Sequence, residues 1–265
     1  MLEAVRNKQL ECAKYIYENG RPILEEELTL IAIKQHDISM LEYLHGRNRI
    51  VYSDIIAEAA ENDNLDAMVF LRSNGVRWTC RVCPAAVTAR SLRCLKYAHE
   101  NGAPFGDFIV EKACVNNSAD CLKYLYEKGV RITIEALARA ATNRETDCFE
   151  FLLQQGMICD HWTLCQVAGT NNLLGLKVLQ RYKVPLIAEM CNMAAMKGHL
   201  AMLQSLHRAG CPWDTQTTYK AAINDNLSCL RYAIENKCPI SDYVLTEVYI
   251  PKSCRKYLDT LKFDQ

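Results

Sequence analysis

A small residue returns every 27 positions along nearly the whole chain, and this period constrains the fold more than any other feature. The column opens with Ala4 and continues with Ala32, Ala59, Ala86, Ala113, Ala140, Val167, Ala194 and Ala221. An aromatic column keeps step with it at Tyr15, Tyr43, Phe70, Tyr97, Tyr124, Phe151 and Tyr232, and a glycine column at Gly20, Gly75, Gly102, Gly129, Gly156 and Gly210. A fixed period of about 20 to 50 residues indicates one supersecondary unit stacked on copies of itself. The sequence therefore predicts a repeat solenoid.

The segment 52–78 shows how one unit folds. Ser53 or Asp54 can cap a first helix, Asn64 can cap a second, and Gly75 lies where a left-handed residue stops that second helix. Two helices of about ten residues and two short turns fill the period and leave no room for strands. We expect an all-α fold, an α-solenoid of about ten helix-turn-helix repeats forming a single domain over 1–265. The predicted units are 1–23, 24–51, 52–78, 79–105, 106–132, 133–159, 160–186, 187–213, 214–240 and a C-terminal cap, 241–265.

The repeating columns have predictable places in such a stack. Two helices approach to about 8–10 Å only where small side chains meet, so the alanine column should lie between the first helices of adjacent units. The aromatic column should fill the space between second helices. Cysteine shares one further column with Ala and Met, at Cys12, Cys94, Cys121, Cys148 and Cys229, which indicates a small apolar packing site.

Composition excludes several classes of function. Lys and Arg number 31, as do Asp and Glu, so no overall field attracts nucleic acid or an anionic membrane. No apolar run approaches the roughly 18 residues that span a bilayer. The 14 cysteines are too few for a disulfide scaffold and fit a reducing compartment. We expect a cytoplasmic protein, with the nucleus as the alternative, monomeric or part of a longer repeat array.

The eighth unit carries a recognisable core, Ala194-Ala195-Met196-Lys197-Gly198-His199-Leu200, followed by Leu206 and Gly210. This resembles the A-A-x-x-G-H-L and L-x-x-x-G pattern of ankyrin repeats. Units that end in E-N-G-x-P or G-C-P-W are similar to divergent ankyrin arrays of large DNA viruses and protists. The T-P-L-H start is missing and the period is about six residues short, which would remove the β-hairpin fingers. The resemblance implies protein–protein binding without catalysis, with host–virus interaction as one setting.

No catalytic, metal or cofactor site emerges from the residues. His45, His99 and His207 share one column, but their spacing by two and four units separates them by about 20 and 40 Å, too far to share a metal. The pair Cys80 and Cys83 is half of a zinc ligand set with no second half. Phosphate loops and hydrolase signatures are missing as well. We therefore expect a non-enzyme without cofactor or metal.

The sharpest signal outside the repeat is charge. No acidic residue occurs between Asp66 and Glu100, whereas this stretch holds Arg72, Arg77, Trp78, Arg81, Arg90, Arg93 and Lys96. Arg beside an aromatic residue is a typical hot spot for an acidic protein segment, and the same cations could hold phosphates. The alternative is a solvated face balanced by the acidic units that precede it.

A second candidate surface consists of polar pairs that flank the alanine column in first helices. Residues spaced i, i+4 share one helical face, and stacking would align the pairs along the concave surface of a solenoid. The pairs are Lys112/Asn116, Arg139/Asn143, Gln166/Thr170 and Lys220/Asn224. The asparagines have an alternative role as helix terminators.

These observations favour a non-catalytic scaffold that binds a protein partner through its concave first-helix surface. One alternative is a nucleic-acid or phosphate-binding protein that uses the basic segment 72–96. Another is a substrate adaptor for a ubiquitin ligase, which would require a docking module such as an F-box. No such module is visible in the sequence, and the segment 241–265 is too short and too repeat-like to support the prediction of one.

Overall fold

The computed structural model describes residues 15, 25–46, 54–240, 243–244 and 249–261. Over this part of the chain the secondary structure is helical, without strands, and none of its helices is long and apolar enough to cross a membrane. Predictions that concern Ala4, Cys12, Gly20 and Ser53 lie outside the described residues. Tyr15, the one described residue of the first predicted unit, has 70% of its surface exposed.

The chain divides into two compact units, Met1–Ile132 and Thr133–Gln265, and each is a series of helical pairs. The described helices of the first unit are α1 (Glu25–Lys34), α2 (Ile38–His45), α3 (Ile55–Glu61), α4 (Leu65–Ser73), α5 (Val82–Thr88), α6 (Leu92–Glu100), α7 (Ile109–Val115) and α8 (Ala119–Glu127). Those of the second unit are α9 (Ile134–Thr142), α10 (Asp147–Gln154), α11 (His161–Gly169), α12 (Leu173–Arg181), α13 (Ala188–Lys197), α14 (Leu200–Arg208), α15 (Thr215–Ile223), α16 (Leu227–Glu235) and α17 (Lys252–Leu261).

Each helix packs against the helix that holds the same place, first or second, in the neighbouring repeat. In the first unit α3 packs on α5 and α5 on α7, whereas α4 packs on α6 and α6 on α8. In the second unit α11 packs on α13 and α13 on α15, and α14 packs on α16. First helices therefore stack on first helices and second helices on second helices, which is the architecture of an α-solenoid. The predicted all-α fold is confirmed over the described residues.

The alanine column lies where the first helices meet. Every described member, including Val167, has between 0% and 1% of its surface exposed. Ala194 belongs to α13, which packs against α11 on one side and α15 on the other. The small side chains let neighbouring helices approach closely, as the period predicts.

The aromatic column connects consecutive second helices through histidine. Phe70 of α4 meets His45 of α2 edge-on, with ring centroids 5.7 Å apart. The Tyr124 hydroxyl and His99 Nδ1 are 2.8 Å apart, and Tyr232 and His207 repeat this contact at 2.9 Å in the second unit. The predicted position of the column between second helices is confirmed for these aromatic residues.

His99 and His207 also stack on the hydrophobic residue that lies three positions after the glycine that ends their helix. His99 lies parallel to Phe105 at 4.2 Å, and His207 lies parallel to Trp213 at 4.1 Å. Their side chains are half-buried packing groups. The histidines of this column therefore pack against aromatic rings, a role that the sequence analysis did not predict.

Polar side chains at the start of second helices connect each repeat to the one before it. Asn64 caps α4 by accepting from the Ala67 amide at 2.9 Å, as predicted, and its Nδ2 also donates to the Ile33 carbonyl of the preceding first helix at 2.9 Å. Ser118 makes the same contact with the Val87 carbonyl at 2.6 Å. In the second unit Asn172 and Asn226 donate to the carbonyls of Ala141 and Ala195. Carbonyls at the ends of first helices are thereby satisfied by the next repeat.

Cysteine side chains occupy the core as predicted. Cys94, Cys121, Cys148 and Cys229 are buried, and burial raises the pKa of Cys94 and of Cys229 to about 11. Such thiols stay protonated and behave as small apolar groups.

Two lysines stand where other repeats have their stop glycine, and they adopt the same left-handed backbone. Lys183 has φ 54° and Lys237 has φ 64°, close to the φ of 74° to 89° at the equivalent glycines. A non-glycine residue in this region brings its Cβ close to the following carbonyl oxygen, a contact that costs about 1–2 kcal/mol. The turn after α12 is therefore preserved under strain.

We expect Lys183→Gly to raise the free energy of unfolding by about 1 kcal/mol, because the relief of strain exceeds the entropy that glycine adds to the unfolded chain. Urea denaturation followed by circular dichroism measures the change. Gly156→Lys is the matched reverse change, since a Cβ there meets nothing within 4 Å, and it should destabilise by a similar amount. Equal stabilities of all three proteins would contradict the strain argument.

Candidate functional site

Two successive first helices of the second unit each carry an exposed apolar side chain at their N-terminal end. Ile134, the first residue of α9, is 44% exposed, and Trp162, the second residue of α11, is 60% exposed. Caps hold both helix starts, because Thr133 accepts from the Ala136 amide at 3.3 Å and Asp160 accepts from the Thr163 amide at 2.8 Å. The caps fix where each helix begins, and thereby place these apolar groups at the surface.

Between α9 and α11 lies an open groove of about 310 Å³. Its lining combines three apolar side chains with five polar ones. The lining residues are Ile134, Glu135, Ala138, Arg139, Thr142, Asp160, Trp162 and Gln166. A groove of this size fits one or two side chains of a bound segment rather than a large cofactor.

Charge is unevenly distributed along the groove. Glu135 and Asp160 belong to the starts of α9 and α11, whereas Arg139 lies one helical turn further along α9. Hydrogen bonds from Thr163 lower the pKa of the Asp160 carboxyl group, which is therefore ionised at neutral pH. Among the ion pairs of the described residues, none within 4.0 Å joins Arg139 to Glu135 or Asp160. The groove presents an acidic end, an indole and a basic end.

Two of the sequence-predicted polar residues, Arg139 and Gln166, line this groove. In the first unit, Lys112 and Arg81 line a second groove of about 340 Å³ together with Glu61 and Asp107. Lys220 lies over the ring of Tyr219, with Nζ 5.9 Å from the ring centroid. Lys112 and Arg81 thus share one groove of the first unit, and Arg139 and Gln166 share one groove of the second.

The polar partners of these residues have a structural role at helix ends. The amides of Asn116 and Asn224 each donate to the carbonyl four residues earlier, at Lys112 and Lys220, over 2.9 Å. Asn143 Oδ1 accepts from the Glu145 amide just after the end of α9, at 3.1 Å. These contacts are those of helix terminators, the alternative that the sequence left open.

Apart from Arg81, which lines the groove with Lys112, the residues of the basic segment 72–96 fall into two groups. Arg72 lies 5.3 Å from the Trp78 ring centroid, and the Trp78 indole donates to the Asn101 carbonyl at 2.7 Å, so both residues pack in the connection between repeats, next to the exposed Arg77. Arg90, Arg93 and Lys96 line a shallow depression at the turn between α5 and α6. Arg90 is exposed there with φ 56°, and the Lys96 ammonium lies 5.6 Å from the Tyr124 ring centroid.

Acidic residues of the preceding repeat bind two of these arginines. Arg81 pairs with Asp54 at 2.7 Å, and Arg93 pairs with Asp63 at 2.9 Å. Asp54 therefore begins α3 without a side-chain capping bond. The hydrogen bond from Arg93 lowers the pKa of Asp63. Both pairs favour the interpretation of a solvated face balanced by acidic neighbours, and exposed pairs of this kind contribute about 0–1 kcal/mol.

The remaining motifs belong to packing. Cys83 is fully buried, and burial raises its pKa to about 12, whereas Cys80 is exposed. Cys191 at the equivalent position is also fully buried. No group of three His, Cys, Asp or Glu side chains with metal-binding geometry occurs within the part of the chain that the structure describes.

The sequence analysis missed Trp162, although a signal for it was present. Its repeat position holds charged or polar side chains in most units, but Phe108, Trp162 and Tyr243 interrupt the column and are 79%, 60% and 58% exposed. Trp and Tyr are enriched among the residues that dominate binding energy at protein interfaces, so an exposed Trp in a polar column is a candidate for binding. Trp162 could therefore have been selected from the sequence as an aromatic residue at a repeat position that is polar or charged in most units.

No protein-family model matches the chain, and no curated protein matches it in sequence. Its structure is similar to the crystal structure of the human ASB11 ankyrin repeat domain. The similarity covers 78% of this chain and 96% of that chain, with 20% sequence identity and a TM-score of 0.42.

Proposed function

We propose that this protein is a non-catalytic scaffold that binds a protein partner through its first-helix surface, with the groove between α9 and α11 at the centre. The observation that carries the proposal is Trp162, which is 60% exposed beside Ile134 and Arg139. Exposed Trp and Arg in a partly apolar groove are the residue types that dominate binding energy at protein interfaces. Burying this indole on binding removes a large apolar surface from water.

The principal test is the variant Trp162→Ala. We expect it to weaken partner binding by about 30-fold, which corresponds to about 2 kcal/mol, because truncation removes the largest exposed apolar group of the groove. Partners are captured from a lysate at about 150 mM salt, identified by mass spectrometry and titrated individually.

The matched control is Leu174→Ala, which removes an apolar side chain that is 52% exposed on the second helix of the same repeat. Its partner set should equal that of the unmodified protein. If the partners were still captured by Trp162→Ala but were lost with Leu174→Ala, the binding surface would lie on the second helices instead.

The nucleic-acid alternative depends on the basic segment 72–96, whose Arg81 and Arg93 already pair with carboxylates. Such binding would fall by orders of magnitude between about 50 and 200 mM salt and would vanish on nuclease treatment. The adaptor alternative requires ubiquitin-ligase subunits among the captured proteins. The capture experiment therefore distinguishes all three functions.

A further inference from the structure

The acidic end of the groove between α9 and α11 presents two carboxylates near one exposed indole. Glu135 is exposed on the first turn of α9, Asp160 precedes α11, and Trp162 is 60% exposed beside them. Arg139 lies one turn away on α9 and forms no ion pair with either carboxylate among the described residues. The electrostatic complement of this end is therefore a cation supplied from outside the groove.

Arginine matches this arrangement better than lysine does. A guanidinium group is planar, so it stacks on an indole face while its N–H groups donate to carboxylates in its own plane. Lysine presents a compact, strongly hydrated charge that cannot stack in this way. The apolar lining formed by Ile134 and Ala138 suits the methylene stem of a long side chain.

We propose that this groove binds an arginine side chain of an extended segment of a partner protein, with the guanidinium on Trp162 and paired with Glu135 and Asp160. This inference depends on the proposed scaffold function and specifies the chemistry of the partner. Arg139, one turn further along α9, then pairs with an acidic residue or a carbonyl group next to the arginine in the bound segment.

The test is a titration of the full chain, labelled with ¹⁵N, with pools of blocked seven-residue peptides. The chain has three tryptophans, so its spectrum contains three indole N–H signals, and Trp162→Phe identifies the signal of Trp162. The pools have random composition without arginine or lysine at the six flanking positions, and the central position holds arginine, citrulline or alanine. Citrulline has nearly the shape of arginine but carries no charge.

We expect the arginine pool to shift the Trp162 signal and to leave those of Trp78 and Trp213 in place. The citrulline and alanine pools should bind at least about 10-fold more weakly, because a charge-assisted hydrogen bond is lost. Equal shifts with all three pools, or no shift at Trp162 with any of them, would overturn the arginine assignment.

Glu135→Gln provides the second measurement and should weaken binding of the arginine pool by about 5- to 10-fold. Glu27→Gln is its matched control, since Glu27 is exposed, holds the same repeat position on α1 and does not line the groove. Asp160 is left unchanged because it caps α11. Equal losses in the two variants would overturn the role of Glu135.

The two proposals fail in different ways. A partner whose capture depends on Trp162 but whose binding shows no preference for arginine leaves the scaffold function standing and removes this inference. An arginine-dependent shift at Trp162 without any partner that depends on Trp162 removes the scaffold function.

Discussion

Asn172→Ala is expected to lower the free energy of unfolding by about 3 kcal/mol, since it removes three hydrogen bonds of one buried side chain. Its Oδ1 accepts from the Gly175 amide at 2.9 Å, and its Nδ2 donates to the carbonyls of Ala141 and Asn143 at 2.9 and 2.6 Å. Loss of a helix cap costs about 1 kcal/mol. A buried carbonyl left without a donor adds about 1–3 kcal/mol.

Urea denaturation measured by circular dichroism checks this value. Asn236→Ala is the control, because Asn236 is exposed and its amide donates only to the Tyr232 carbonyl of its own helix, so its cost should stay below about 0.5 kcal/mol. The loss of stability in Asn172→Ser should lie between these two values. A serine hydroxyl can make the contact to the preceding repeat, as Ser118 does in the first unit. Costs that are equal for Asn172→Ala and Asn236→Ala would show that the inter-repeat bonds contribute nothing.

Ala194→Leu is expected to destabilise the protein by about 3 kcal/mol, the upper part of the range for an overpacked core. Ala194 has 0% of its surface exposed, and its helix packs against first helices on both sides. Three additional heavy atoms can be accommodated only if α13 moves away from α11 or α15. Such a movement opens gaps along the rest of the helix contact, with loss of dispersion contacts.

The matched control is Ala201→Leu, which introduces the same side chain at an exposed position of α14. Leucine and alanine have similar helix propensities, so this variant should remain within about 0.5 kcal/mol of the unmodified protein. Thermal and urea denaturation of both variants give the comparison. If Ala194→Leu were as stable as Ala201→Leu, the alanine column would not limit how closely first helices approach.

The repeat columns show how far the sequence alone leads. Ala194, Cys229 and Gly210 fall at positions where a 27-residue period requires a small residue, a packing residue and a helix stop, and all three have these roles in the structure. Period and side-chain size suffice here because each role is set within one repeat or between identical neighbours. The Asn172 cap was predictable for the same reason.

Contacts between different side chains of adjacent repeats were not predictable. The sequence places Asp54 and Arg81 27 residues apart without indicating that they pair at 2.7 Å. Likewise, nothing in the spacing shows that His207 Nδ1 lies 2.9 Å from the Tyr232 hydroxyl of the next repeat. These contacts depend on the rotation and rise between neighbouring repeats, which periodicity does not specify.

The sequence by itself determined an all-helical repeat fold, the order of helices in each unit and the side chains that form the core, because a fixed period brings equivalent positions into register. Only the tertiary structure decided which exposed residues lie together. It pairs Arg81 and Arg93 with carboxylates and brings Ile134 and Trp162, 28 residues apart, to one groove. The physical reason is that burial follows from the local pattern of side chains, whereas a binding surface is formed by the geometry between repeats.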